Sequence, residues 1–368
     1  MNDFLATLKF KYSGRNFRPI DHLVVCFDSD DWGSLKFSSI EQRNLAKSMG
    51  HNVSSEAFVR CDSLETPKDL QNLASVLLKH HDHFGNCPIF TLNFMMFNPD
   101  YSAMLQSNFS TFVHHPFFEA YGSDDAQKKV LSVLKSFSPT VFDFQLHGAQ
   151  HLNVSRFLRD GKMASPLVLD ACKVGVTNFS DSFGPNRQAG YMDELGCVSS
   201  SDALFVQHQL DDSLSLFNDV FGYRPHCLTP SCGVISSSFC ASLHAIGINT
   251  VKISLRHYKP TKKDIHSFVA LSNKHKGVSF IYRNVSFDPE VTLDFSQVIH
   301  DICLCNKAHV PCLISSHRLN YVGLFNLQNA QKNLELLDHL LDEIEKLFPN
   351  VEYLSTEKCI SKYGKISQ

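Results

Sequence analysis

No stretch of this 368-residue chain approaches the roughly 18 to 20 consecutive apolar residues that a membrane-spanning helix needs. The opening residues Met1-Asn2-Asp3-Phe4-Leu5 lack a basic region followed by an apolar run, so no secretory signal is expected. There is no Cys-x-x-Cys pair among the 12 cysteines, and Cys303-x-Cys305 alone is a poor zinc signature. Neither sign of charge dominates. Lys and Arg total 34 against 37 Asp and Glu, and a formal net charge of -3 gives no reason to expect a nucleic-acid or anionic-membrane partner. Internal repeats, low-complexity tracts and a convincing interdomain linker are also missing.

Apolar residues make up 43% of the chain and charged residues 19%, which is enough to fill a well-packed core. Several cysteines sit inside apolar runs, such as Cys26 in Leu-Val-Val-Cys-Phe and Cys312 in Val-Pro-Cys-Leu-Ile. Free, buried thiols behave in this way, and they point to a reducing, cytoplasmic compartment. Short apolar runs at Leu23–Phe27, Pro88–Phe94, Val141–Leu146, 249–253, 279–283, 310–315 and Val351–Leu354 read as strands. Between them, 67–82, 125–137, 202–220, 236–246 (closed by Gly247), 294–305 and 327–348 carry helical periodicity. In the last of these, Leu334, Leu337, Leu341, Ile344 and Phe348 mark one face.

Strand and helix taking turns predicts parallel strands joined by crossover helices. Periodicity does not separate a closed barrel from a doubly wound open sheet. A single barrel-like domain over 1–368 is the expectation, with a long loop excursion around 160–200.

Polar residues cluster where these strands end, the face on which parallel α/β folds bind ligands. Asp28-Ser29-Asp30-Asp31-Trp32-Gly33 follows the first strand, His147-Gly148-Ala149-Gln150-His151 a middle one, and Ser315-Ser316-His317-Arg318 a late one. Three carboxylates within four residues repel one another unless a cation sits among them or one is protonated. An exposed acidic turn or a helix N-cap would account for the same residues. Trp32, the single tryptophan, is either packing or a wall for a sugar ring.

His147 and His151 stand four apart, so a helical turn would bring both imidazoles to one face. Surface or capping histidines are equally ordinary. With a strand-end Asp31 they make the three-ligand, open-site set of a catalytic zinc or a similar ion. His317, in a small-residue context, suits a general acid, or is a capping or core histidine. Asn93, Asn98, Asp100 and Asn284 lie near strand ends and would orient a polar substrate, although loops favour Asn and Asp anyway. His80, His81, His83, His114 and His115 read as surface residues.

The three clusters, in this order, resemble the motifs of the polysaccharide deacetylase (NodB-homology) superfamily. Within it they are most similar to the long deacetylase-like proteins of bacterial glycan gene clusters, with further likeness around Asn98-Pro99-Asp100, Ser316-His317-Arg318 and Val351-Glu352-Tyr353. The resemblance implies a distorted (β/α) barrel of about seven parallel strands. It implies Asp30 as general base, Asp31, His147 and His151 on one divalent metal (zinc first, then cobalt, nickel or manganese), and His317 as general acid. The implied substrate is an acylated sugar or glycan, with a backbone N–H near Pro230 and Cys232 holding the oxyanion.

The chain departs from the pattern in several places. Trp32 is inserted before the glycine, and Asp28 offers a competing register for the acidic pair. Leu228-Thr229-Pro230-Ser231-Cys232-Gly233 carries Thr229 where an arginine would hold the base, leaving Arg224, Arg283 or Arg318 to replace it in space. No Asp-x-x-Asp-Trp counterpart is evident. Two rival readings follow: a glycan-binding protein that has lost catalysis on this fold, and a metal-dependent enzyme that cuts glycans through the same Asp-His-His face.

Overall fold

The computed structural model describes residues 3–54, 56–177, 191–235, 239–254, 256–260, 265–269, 274–292 and 294–365. Fourteen strands appear among them in chain order. They are β1 (Val24–Trp32), β2 (Phe90–Met95), β3 (Phe97–Pro99), β4 (His114–Pro116), β5 (Phe142–Gly148), β6 (Cys227–Leu228) and β7 (Thr250–Ser254). There follow β8 (Arg256–Pro260), β9 (Ile265–Val269), β10 (Lys274–His275), β11 (Val278–Arg283), β12 (Val285–Ser286), β13 (Cys312–His317) and β14 (Glu352–Tyr353). The central sheet has ten strands in the order β10-β11-β7-β6-β5-β2-β1-β13-β12, with β14 beside β1. Its pairings are parallel apart from β10 with β11.

The count corrects the expectation of about seven strands, for two physical reasons. Short two-residue additions, β10 and β14, extend the sheet. The run 278–286 is also split at Asn284, so that β11 pairs with β7 while β12 pairs with β13. β11 and β12 therefore lie near opposite ends of the pairing path, yet one residue separates them in the chain.

The expected helices form, each for a local reason. Pro67–Leu77 begins with a Thr66–Asp69 capping box and a proline in its first turn. Ser200–Phe221 has a Ser199–Asp202 capping box and ends at Gly222 in the left-handed conformation. Its Leu210, Leu214 and Phe217 are fully buried in the main core, each contributing roughly 1.5–3 kcal/mol relative to exposure. Leu327–Leu347 buries Leu334, Leu337, Leu341 and Ile344, the face read from the sequence. Of the segment 236–246, Cys240–Ala245 is helical, Gly247 takes a positive φ of 93°, and 236–238 lie outside the described residues.

The excursion around 160–200 is not the run of loops expected. Val154–Lys162 and Pro166–Val174 are helices. Phe157, Val168, Ala171 and Val174 join Phe37, Val59, Met104 and Tyr191 in a second apolar cluster. The loop-like composition belongs to the stretch after Gly175, and of that stretch 178–190 lie outside the described residues. All twelve cysteines are free, nine of them buried. No helix among the described residues is long and apolar enough to cross a membrane.

Candidate metal centre

Two β-bulges build the site. Adjacent residues of a regular strand point to opposite faces, which would separate Asp30 from Asp31. Against β2, however, Ser29 pairs with Leu92 and Trp32 with Phe94, so three steps on β1 span two on its partner. Asp31 takes up the extra residue in the left-handed region, at φ 76°, and the bulge re-aims its carboxylate. Across the other edge of β2, Phe94 pairs with Leu146 and Met95 with Gly148, which makes His147 the extra residue of β5.

Asp31 Oδ1 lies 3.3 Å from His147 Nε2 and 3.2 Å from His151 Nε2. One ligand atom from each residue falls within 4.8 Å of the other two. Asp31 and His147 are buried, and the His151 side chain is 10% exposed.

The donor chemistry fits a divalent ion. His147 Nδ1–H donates to the Thr229 carbonyl at 2.7 Å, which orients the ring with Nε2 toward Asp31 and makes Nε2 the atom that would ligate an ion. Burial would raise the Asp31 pKa, but Lys36 and the two imidazoles hold it well below the usual carboxylate range. Burial is also the main reason His151 is brought down to about 4. One carboxylate oxygen and two imidazole nitrogens converging on one point are the donor set that zinc and similar ions take, displacing any proton shared between them.

The turn that leads from His147, near the end of β5, to His151 is held by a residue that sequence reasoning missed. Glu194 is buried and accepts from Ala149 N at 2.9 Å and Gln150 N at 3.2 Å. Burial pushes its carboxyl up to about 8. It sits in the excursion, with no motif to mark it.

Asp30 stands beside the centre with one donor on each oxygen. Asn93 Nδ2 donates to Oδ1 at 2.7 Å, and Arg283 Nη1 to Oδ2 at 2.6 Å. Burial opposes ionisation, yet Arg283, His147 and His317 outweigh it and keep Asp30 at about 2. Arg283, one of the three arginines considered from the sequence, is the one that pairs with Asp30. Arg224 pairs with Asp211 at the surface instead. Arg318 is fully buried between Asp62 and Glu65, where it also donates to Ser34 O and pins the loop after β1.

Register sets His317 opposite Asp30, and its Nε2 lies 3.9 Å from Asp30 Oδ2. Its Nδ1 is 3.0 Å from both oxygens of Asp288. Burial would lower this imidazole, but Asp288, with help from Asp30 and Asp31, raises it to about 9. Asp288 was also missed; it follows β12 as an isolated strand-end aspartate.

Other expected residues take structural places. Trp32 is fully buried in the main core, with Nε1 on Ser29 Oγ at 3.0 Å, and is no wall for a sugar. Asn98 spends its amide on Leu35 N and Gly33 O. Asn284 spends its own on Leu313 N and Pro311 O. Asp28 is fully buried and salt-bridged to Lys252, which removes it as an alternative acid. Pro230 and Cys232 lie on the loop whose Thr229 carbonyl holds His147, with Cys232 at φ 56°. Asp100 caps the helix Tyr101–Gln106 and meets His115. His80 is buried against Asp338 rather than at the surface.

No family model matches the chain, and no curated protein matches it. Solved structures with a similar course include a 4-alpha-glucanotransferase from Thermococcus litoralis, at 10% identity and a TM-score of 0.46. The match covers 93% of this chain and 40% of that one, so the chain spans well under half of that enzyme's length. A polysaccharide deacetylase candidate from Mycobacterium smegmatis aligns at 9% identity and a TM-score of 0.43, covering 95% and 97% of the two chains. An alpha-amylase from Thermotoga maritima aligns at 8% identity and a TM-score of 0.42, covering 95% and 76%. With these scores below 0.5, the likenesses assign neither family nor activity.

Proposed function

We propose that this chain is a metal-dependent hydrolase that removes an acyl group, most simply acetyl, from an amide or ester on a sugar or glycan. The carrying observation is the convergence of Asp31, His147 and His151, with the ionised Asp30 on one side and His317 beyond it. The order of the sequence clusters supports the polysaccharide deacetylase superfamily, and the near-meeting of β11 and β12 supports closure of the sheet into a barrel within a single domain over 1–368.

Asp31, His147 and His151 would hold the ion, zinc before cobalt, nickel or manganese. When bound, it polarises a carbonyl and lowers the pKa of water. Asp30, ionised and held by Arg283 and Asn93, takes the proton of the attacking water. His317, protonated at neutral pH and oriented by Asp288, returns a proton from Nε2 to the departing amine or alkoxide. The loop at Pro230 and Cys232 is the place for a backbone donor to the oxyanion.

The test is metal content by mass spectrometry for wild type beside a His147→Ala, His151→Ala variant, followed by acetate release from acetylated glycans. Near-stoichiometric metal lost in the variant, with acetate released by wild type, is expected. Equal metal in both proteins would remove the triad. Bound metal with a cut glycosidic bond in place of free acetate would select a glycan-cleaving enzyme.

A further inference from the structure

Beneath the centre lies a group of charges that the hydrolytic chemistry does not use. Lys252 of β7 and Asp28 of β1 are both fully buried and form a close ion pair. Lys252 Nζ also donates to Asn93 Oδ1 at 2.8 Å, and Thr356 Oγ1 donates to Asp28 Oδ2 at 2.6 Å. Asn93, on β2 and fully buried, gives its Nδ2 hydrogens to Asp28 Oδ1 at 2.9 Å and to Asp30 Oδ1 at 2.7 Å. A buried ion pair of this kind is no gain in itself, because apolar residues of equal volume are often as stable or more so. Stability alone gives no reason for it.

We infer that Lys252 and Asn93 are positioning residues for Asp30: the lysine anchors the Asn93 amide by its oxygen, and the anchored amide fixes the carboxylate. An ammonium can only donate and an ionised carboxylate can only accept. The amide oxygen must therefore face Lys252, and the NH2 must face Asp28 and Asp30. Turning the amide over would set its oxygen against two carboxylates and its hydrogens against the ammonium. With Arg283 on the other oxygen, the plane of Asp30 is held from two sides. Without Lys252 the amide oxygen loses the donor that anchors it, only the carboxylates remain to orient the NH2, and the donor to Asp30 is held less firmly. The inference rests on the reading of Asp30 as base.

The test is Lys252→Met in the full chain, loaded with metal. If leaving Asp28 unpaired prevents folding, the apolar pair Asp28→Leu, Lys252→Met replaces it. Turnover of an N-acetylated chito-oligosaccharide is expected to fall about 10- to 100-fold, the scale of a misplaced reacting group, with KM and bound metal unchanged. Independently of turnover, the Asn93 side-chain amide signals, assigned by their loss in Asn93→Leu, are expected to be protected from exchange in wild type and to shift and lose protection in the variant. Identical amide signals in both proteins, or full turnover by a folded, metal-loaded variant, would overturn the inference. A wild type that releases no acetate would count against the hydrolase reading instead, and the amide signals would still decide this one.

Discussion

An imidazole hydrogen-bonded to a carboxylate in a partly closed site keeps its proton far longer than one in water. His317 is raised from 6.5 to about 9, against the effect of its own burial, chiefly by Asp288. Its interaction with Asp288 contributes stability that is fully present below about pH 6.5 and is lost as pH rises through about 9. In the metal-free protein, NMR titration of His317 should show this high value, and Asp288→Asn should bring it down toward the ordinary range. The stability difference between the two proteins should shrink above pH 9. A His317 that titrates near 6.5 in both would show that Asp288 does not hold it. At this scale His317 was legible, because a histidine at a late strand end stands out. Asp288 was not, because nothing distinguishes it from the aspartates that loops favour.

Elements carry a different kind of information, and the two bulges show why part of it escapes the sequence. The apolar runs mark the first part of β1 and most of β5, yet both strands are buried on both faces, so there is no alternation whose phase a one-residue bulge could shift. Asp30 and Asp31 read as neighbours on opposite faces until the pairing with β2 is known. His147 and His151 do meet, but through a bulge and a loop held by Glu194 rather than on a helix face. This loop makes a sharp demand at Gly148, where φ is 151° and a Cβ would come within 2.0 Å of Glu194 Oε2. Gly148→Ala should displace Glu194 and release the backbone N–H groups of Ala149 and Gln150. Because residues that orient ligands typically govern affinity by 10- to 100-fold, zinc binding should weaken by about 10-fold or more. Glu194→Ala should act in the same direction. Competition with a chelator measures both, and affinities equal to wild type would show that Glu194 does not shape the site.

For the whole molecule, the alternation of strands and helices was readable, whereas the pairing order and the split at Asn284 depend on contacts between residues distant in sequence. That split also separates what stabilises the sheet from what serves the site. Arg283 and Asn284 are adjacent, but their side chains go different ways: Arg283 reaches Asp30, and Asn284 ties the chain to Leu313 and Pro311. Leu313 precedes His317 by four residues of β13, about 13 Å at the usual rise. Asn284→Ala strips a partner from two backbone groups and should lower unfolding free energy by about 1–3 kcal/mol. Bound metal and turnover of the folded protein should stay at wild-type values. Arg283→Met should do the opposite to function, cutting turnover because Asp30 loses the charge that keeps it ionised, with metal still held by Asp31, His147 and His151. Urea unfolding, metal analysis and acetate release on the same three proteins separate these effects. If Asn284→Ala lost metal or turnover at unchanged stability, Asn284 would belong to the site after all, and the division between the two neighbours would fail.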